Sequence, residues 1–253
     1  MPGGIHEKQV DVGPGESDLF GMCRPAAILD YLQVLALEQA ALLGISREAM
    51  IRQHNCVWLL AREWYQLRRP ILRGEHLTIT TWPSRMVGAS FYRDFDLRVQ
   101  GELVGEAVSI WVLADVESRT LLRVSELPKL AAAPRPDCLK QTVPKRLSAP
   151  PDLQPAMERR IRYSDTDING HMNNARYADV VCDALEFETL QGQYADSMQI
   201  NFLRECRAGE TLTILTSRSG ADAFVRGSDA AGTPRFDAKL HLSAVRRADE
   251  NDP

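Results

Sequence analysis

Arg204-Glu205-Cys206-Arg207-Ala208-Gly209-Glu210-Thr211-Leu212-Thr213-Ile214-Leu215-Thr216 repeats, in weaker form, an earlier stretch of the same chain: Arg69-Pro70-Ile71-Leu72-Arg73-Gly74-Glu75-His76-Leu77-Thr78-Ile79-Thr80-Thr81. Arg, Gly-Glu, Leu-Thr-Ile and Thr recur at similar places, and Phe91-Tyr92-Arg93 answers to Phe224-Val225-Arg226 shortly afterwards. Self-similarity at this spacing points to a duplicated unit rather than a solenoid.

Working outward, each copy has the same order of elements. Residues 25–43 read as a long helix, with Pro25 suited to the first helical position and Gly44 to the residue past the end. Its polar residues are few (Asp30, Gln33, Glu38, Gln39), so it is expected to be buried nearly all round. Strand-like runs follow at 76–82, 91–99, 103–116 and 120–124, with Gln100-Gly101 and Glu117-Ser118 as turns. In the second copy the helix spans 174–190, with Tyr177, Val181, Ala184 and Leu185 on one side. Its strands fall at 198–204, 211–217, 223–228 and 235–246. A long helix covering the apolar face of an antiparallel sheet is an α+β arrangement. Between the copies, Pro128, Pro134, Pro136, Pro144, Pro150, Pro151 and Pro155 crowd one stretch. Proline at this density propagates neither helix nor central strand. Residues 128–156 are therefore expected to link a unit at 1–127 to a unit at 157–253, with frayed termini at 1–15 and 248–253.

Composition narrows the functional classes. Apolar residues make up 44% of the 253, ordinary for a globular core. No uninterrupted apolar run approaches the ~20 residues that span a bilayer. The first fifteen residues lack a basic-then-apolar signal organisation. A cytoplasmic protein without stable membrane insertion is expected. Cys23, Cys56, Cys138, Cys182 and Cys206 are scattered with no CxxC pair, which indicates neither a zinc cage nor a disulfide framework. A net charge of -4 argues against nucleic acid as the main partner. Local basic clusters (Arg68, Arg69, Arg73; Arg159, Arg160, Arg162; Arg204, Arg207) are either solvated charge or a docking surface for an acidic protein.

Chemistry concentrates in Asp165-Thr166-Asp167-Ile168-Asn169-Gly170-His171-Met172-Asn173-Asn174. A calcium loop would use Asp165, Asp167, Asn169 and Gly170, but its twelfth position should be a bidentate Glu and is Arg176. A cation there repels calcium, so no metal is expected. Capping of the following helix by Asn173 or Asn174 is expected. Capping leaves Asp167, Asn169 and His171 unexplained.

The loop resembles the signature of the acyl-acyl carrier protein thioesterases: Asp-x-Asn-x-His, a hydrophobe, then Asn-Asn. Asp167, Asn169 and His171 fall on the three positions, and Met172-Asn173-Asn174 completes the pattern. Arg204-Glu205-Cys206 matches a second landmark of that family. Trp58-Leu59-Leu60-Ala61-Arg62, Thr81-Trp82-Pro83, Tyr92-Arg93-Asp94-Phe95 and Ser109-Ile110-Trp111-Val112 match others in order, so the likeness covers roughly residues 20 to 245. The resemblance implies a tandem (double) hot-dog fold, each unit a long central helix wrapped by an antiparallel sheet. It also implies a role in fatty acid biosynthesis: hydrolysis of a fatty acyl thioester on acyl carrier protein, with the acyl-chain pocket shaped by the first half. No cofactor is expected, since the phosphopantetheine arm belongs to the substrate. A homodimer is expected by analogy with other hot-dog sheets. Two departures are a targeting extension that the plant proteins carry and this chain lacks, which fits the cytoplasmic expectation, and Thr166 where many relatives carry a hydrophobe.

Thioester hydrolysis needs a water, a base, and donors for a carbonyl oxygen gaining charge. A helix N-terminus offers free N–H groups and partial positive charge. The Asn169 amide can donate as well, and one such donor is typically worth ~3–4 kcal/mol. His171 can donate to substrate or relay a proton. Asp167 is expected to fix Asn169 and the tautomer of His171. Glu205, at the Arg-Glu-Cys position, is the candidate base. Its counterpart in the first copy is Pro70, and Gly21-Met22-Cys23-Arg24-Pro25 stands there in place of the motif. A rival nucleophile is Cys206 with His171 and Asn169. Strand alternation groups Gln199, Asn201 and Glu205 on one side and keeps Cys206 for packing unless a bulge intervenes. Rival functions are an acyl-CoA thioesterase, a dehydratase or hydratase on the same scaffold, and a non-catalytic sensor of acyl thioesters.

Overall fold

The computed structural model describes residues 4–122 and 145–245. They form one antiparallel sheet of eleven strands with four α-helices, all of it α+β. The first half contributes β1 (His6–Asp11), α1 (Pro25–Leu42), α2 (Arg47–His54), β2 (Cys56–Leu67), β3 (His76–Val87), β4 (Ser90–Val99), β5 (Glu102–Asp115) and the short β6 (Leu121–Leu122). The second contributes β7 (Gln154–Arg160), α3 (Arg176–Asp183), α4 (Phe187–Leu190), β8 (Gln193–Phe202), β9 (Thr211–Ser219), β10 (Asp222–Ser228) and β11 (Pro234–Ala244).

Spatial order is β1-β3-β4-β5-β2-β8-β11-β10-β9-β7, with β6 beside β5. Read from either edge inward, the two halves give the same sequence of elements: β1 answers to β7, β3 to β9, β4 to β10, β5 to β11 and β2 to β8. The duplication seen in the sequence is thus a duplication of topology. The halves join where β2 meets β8 antiparallel, from Arg62 opposite Asn201 to Gln66 opposite Ser197.

The helices lie on one face. Tyr65, Phe95, Leu97, Ile200, Leu240 and Phe236 project from the sheet against Ile28, Leu29, Leu32 and Leu35 of α1 and Tyr177, Val180 and Val181 of α3, all in one buried cluster. α1 and α3 run antiparallel. Arg24, just before α1, reaches Asp179 in α3 at 3.8 Å, while Asn174, just before α3, donates to Gln33 midway along α1 at 3.2 Å.

Several expectations need correcting. α1 is buried all round near its start, but Val34, Leu37 and Leu42 toward its end are exposed. The second helix does not run 174–190: it breaks after Asp183, and Glu186 takes an extended conformation before α4 begins. No Pro or Gly marks that break. Residues 6–11 are not frayed, because β1 pairs with β3 along its whole length. β7 begins inside the stretch read as linker. It tolerates Pro155 because it is an edge strand with an irregularity between Pro155 and Met157. The twelve residues of β2, at the centre of the sheet, escaped the pattern reading, as did α2. Most of the proline-rich stretch, and the expected frayed residues 248–253, lie outside the described residues.

Candidate active site

The loop before α3 is built by backbone and short side-chain bonds. Asp167 N–H donates to the His171 carbonyl at 2.9 Å, and Gly170 N–H to the Asp167 carbonyl at 3.0 Å. Gly170 sits at φ 74°, where a side chain would be strained. Asp167 Oδ1 accepts the Asn169 N–H at 2.8 Å, and its Oδ2 accepts the Asn169 side-chain amide at 3.3 Å. Below the loop, buried Asp165 accepts from Arg159 at 2.6 Å and from the Arg162 N–H at 2.7 Å.

The loop before α1 repeats this wiring. Asp18 N–H donates to the Met22 carbonyl at 2.8 Å, Gly21 N–H to Asp18 at 3.1 Å, and Asp18 Oδ1 accepts the Phe20 N–H at 2.9 Å. Gly21 sits at φ 80°. The far side matches too: Met172 N–H donates to the Cys206 carbonyl at 2.8 Å as Cys23 N–H does to Ile71 at 2.7 Å, and single bridges join His171 to Arg207 and Met22 to Leu72. Residues of the two loops therefore correspond one to one. Phe20 occupies the place of Asn169, Met22 that of His171, and Pro70 that of Glu205, while Asp18 keeps the place of Asp167. One backbone frame occurs twice, and the second copy carries the amide, the imidazole and the carboxylate.

That frame brings His171 and Glu205 together. Nε2 of His171 lies 3.2 Å from Oε2 of Glu205, with side chains 19% and 39% exposed, so the pair is partly sheltered yet reachable. The segment carrying Glu205 is not strand. β8 ends at Phe202, and the Leu203 and Arg204 N–H groups both donate to the Arg235 carbonyl, an irregularity that cancels the alternation expected through 204. Glu205 does not share a side with Gln199 and Asn201. Those two lie opposite Lys239 and Asp237 of β11 on the face away from the helices, where Gln199 donates to the Lys145 carbonyl. Beyond this bulge the Glu205 side chain, still partly exposed, reaches His171. Arg235 holds the bulge, donating from Nη1 to the Glu205 carbonyl at 2.5 Å and pairing with Asp229 at 3.1 Å.

The remaining candidates divide. The Asp167 carboxylate accepts from Asn169, while toward His171 Asp167 offers only its backbone N–H; the His171 ring instead faces Glu205. Asn169 is exposed at the loop tip, next to fully exposed Ile168. Asn173 caps the chain entering α3 by accepting the Ala175 N–H at 2.8 Å, and Asn174 ties the loop to α1. Cys206 is fully buried against Tyr177, and burial pushes its thiol pKa up. That suits packing and disfavours a thiolate. Among the described residues no cluster of His, Cys, Asp or Glu could hold a metal ion.

A pocket with a cavity volume of about 90 Å³, open at its mouth, lies in the first half between the end of α1 and the sheet. Ala36, Leu37 and Ala40 form its helix wall, with Trp58, Phe91 and Trp111 below and Arg93 buried at its side. Gln33, which holds Asn174, is one turn back along α1. With a rise of 1.5 Å per residue, the pocket wall begins ~5 Å from that contact and ends ~10 Å from it.

Comparison with known proteins places this geometry. The family model described as the acyl-ACP thioesterase N-terminal domain matches residues 3–127, and that of the acyl-ACP thioesterase C-terminal domain matches residues 151–244. The chain belongs to the acyl-ACP thioesterase family. Within it, the chain is 24% identical over 238 residues to the chloroplastic oleoyl-acyl carrier protein thioesterase 1 of Arabidopsis thaliana, an alignment covering 87% of this chain and 65% of that protein. The chain thus spans about half to two thirds of the length of the curated relatives it matches. In fold it is similar to an acyl-ACP thioesterase of Bacteroides thetaiotaomicron, with a TM-score of 0.85 and 21% identity over 94% of this chain and 98% of that one. It is also similar to the 12:0-ACP thioesterase of Umbellularia californica, with a TM-score of 0.77 and 19% identity over 95% and 97%. As a member of this family, the chain has the residues that match the N-terminal model around the apolar pocket and those that match the C-terminal model around the polar loop.

Proposed function

We propose that this protein hydrolyses the thioester of a fatty acyl group carried on acyl carrier protein, releasing free fatty acid. The observation that carries the reading is the asymmetry of the two equivalent loops. The same frame holds Phe20, Met22 and Pro70 in one copy and Asn169, His171 and Glu205 in the other, with the last two 3.2 Å apart. Family membership supports the substrate class. In this reading each half is a hot-dog unit, a helix laid on an antiparallel sheet. The first serves the acyl chain and the second the carbonyl, and the proline-rich stretch joins them.

The mechanism follows from the side chains. Glu205, oriented by His171, takes a proton from water as the water attacks the thioester carbon. Asn169, held by Asp167, donates its free amide hydrogen to the carbonyl oxygen as that oxygen gains charge. The proton passes from Glu205 to His171, which gives it to the departing thiolate. The acyl chain enters the pocket beneath Ala36 and Ala40. No organic cofactor enters this scheme. The test is release of free thiol, read with a thiol reagent, across a ladder of saturated acyl groups on carrier protein and on CoA. Turnover of the carrier-bound thioesters, lost in Asn169→Ala and His171→Ala, is the expected result. Equal competition by acyl-CoA would shift the substrate to CoA, and binding without turnover would make the protein a sensor.

A further inference from the structure

We propose that Arg119, from the first half of the chain, is a positioning residue for the carboxylate of Glu205. Arg119 Nη1 lies 3.8 Å from Glu205 Oε1, while His171 Nε2 lies 3.2 Å from Oε2 of the same group. The carboxylate thus faces a partner at each oxygen, the ring from its own half at close range and the guanidinium of the other half at ion-pair distance. A carboxylate free to swing about its last torsion presents either oxygen to water in many directions. One fixed at both ends presents a set geometry.

The backbone under Arg119 is prepared for this contact. Arg119 adopts φ 58°, a left-handed conformation uncommon for a residue with a side chain. The turn that imposes the angle is tightly wired. Asp115 accepts the N–H groups of Glu117 at 3.1 Å and Ser118 at 2.8 Å, the Ser118 hydroxyl at 2.9 Å and the Asn55 amide at 3.1 Å. Arg119 N–H donates to the Asp115 carbonyl at 3.1 Å, and Val116 N–H to the Asn55 carbonyl at 3.0 Å. The turn between β5 and β6 is therefore pinned to the start of β2, the strand that joins the other half. This makes the reactive groups dependent on both copies, although the first copy has none of its own.

The inference rests on the proposed hydrolysis, so its test has one arm that needs no turnover. In protein labelled with nitrogen-15 at its five histidines, the ring signals of His171 move in Arg119→Met and stay near the wild-type position in Arg119→Lys. The other four histidines are unmoved. In the second arm, with dodecanoyl-acyl carrier protein as probe, Arg119→Met lowers kcat by roughly twofold to fivefold, the size expected of an ion pair between half-exposed groups. KM changes less than twofold, and Arg119→Lys restores most of kcat. Unmoved His171 signals overturn the inference, as does a rise in KM at constant kcat, which would make Arg119 a substrate contact. Failure of the wild-type protein to release thiol from either carrier or CoA thioesters sinks the proposed hydrolysis, while the ring signals still decide Arg119.

Discussion

At the scale of single residues, Glu205 and Cys206 are neighbours with opposite fates. The carboxylate reaches His171, and the thiol is buried against Tyr177 with its pKa raised by burial. Glu205→Gln is expected to lower kcat by roughly a hundred- to ten-thousandfold, the usual contribution of general acid–base groups. Cys206→Ala keeps most of the turnover and loses about 1 kcal/mol of stability, typical of a core change. Thiol release by the two variants, beside their thermal melts, checks this. Strong loss in Cys206→Ala with a normal melt would restore a thiol nucleophile. Glu63 makes a second residue-scale prediction. It is 2% exposed under α1, one carboxyl oxygen has no hydrogen-bond partner among the described residues, and burial, with Asp30 adding repulsion, raises its pKa to about 8. In the unfolded chain the group ionises near 4.5. Between these two values the folded state holds the extra proton, so Glu63 makes stability fall as pH rises from about 4.5 to about 8. Glu63→Gln flattens that slope, and the Tm difference between variant and wild type should favour the variant more at pH 8 than at pH 5 by at least ~2–4 °C, the shift that about 1 kcal/mol produces at this size. A parallel pH dependence of the two melts would show that Glu63 is ionised or solvated in the fold. The chemistry of the loop was legible in the sequence because it resides in side-chain types. That the Asp167 carboxylate meets Asn169 and not the His171 ring was not, because that depends on where the loop folds back.

At the scale of elements, the equivalent loops allow an internal control. Gly21 and Gly170 hold the same left-handed position, at φ 80° and 74°, and neither has a neighbour that a Cβ would strike. Strain is then the main cost of Ala at either place, roughly 1–2 kcal/mol. Gly21→Ala and Gly170→Ala should destabilise alike in a denaturant melt, while only Gly170→Ala lowers turnover, since its loop aims Asn169 and His171. Equal turnover losses would mean that both loops serve catalysis. Elements were read well where one principle dominated. α1 announced itself by Pro25, Gly44 and an apolar run. β2 did not: Arg62, Glu63 and Trp64 interrupt its alternation, and an irregularity between Leu60 and Arg62 shifts its faces. β1 and β7 are polar edge strands whose pairing depends on β3 and β9 being present. The break after Asp183 has no local signal, and the packing of Leu185 into the core accompanies it.

At the scale of the molecule, the duplication was legible, but how the two halves meet was not. α1 runs from the polar loop to the apolar pocket. Its residue Gln33 holds Asn174 beside the polar loop, and Ala36 and Ala40, one and two turns on, wall the apolar pocket. In the proposed reaction, a thioester carbonyl held at the second half's loop would send its acyl chain along α1 into the first. Small side chains at these two positions leave the space open, and a larger one at Ala40 would close its far end while sparing the start. Ala40→Phe is expected to cut kcat/KM for long acyl chains by roughly tenfold or more, since each excluded methylene forfeits ~0.8 kcal/mol of burial. The shortest chains, which stop before Ala40, should be hydrolysed at near the wild-type rate. The acyl ladder on carrier protein reads this directly as a shift in the chain-length profile. A uniform loss at every length would place the acyl chain elsewhere, and the pocket beneath α1 would then have no part in choosing the substrate.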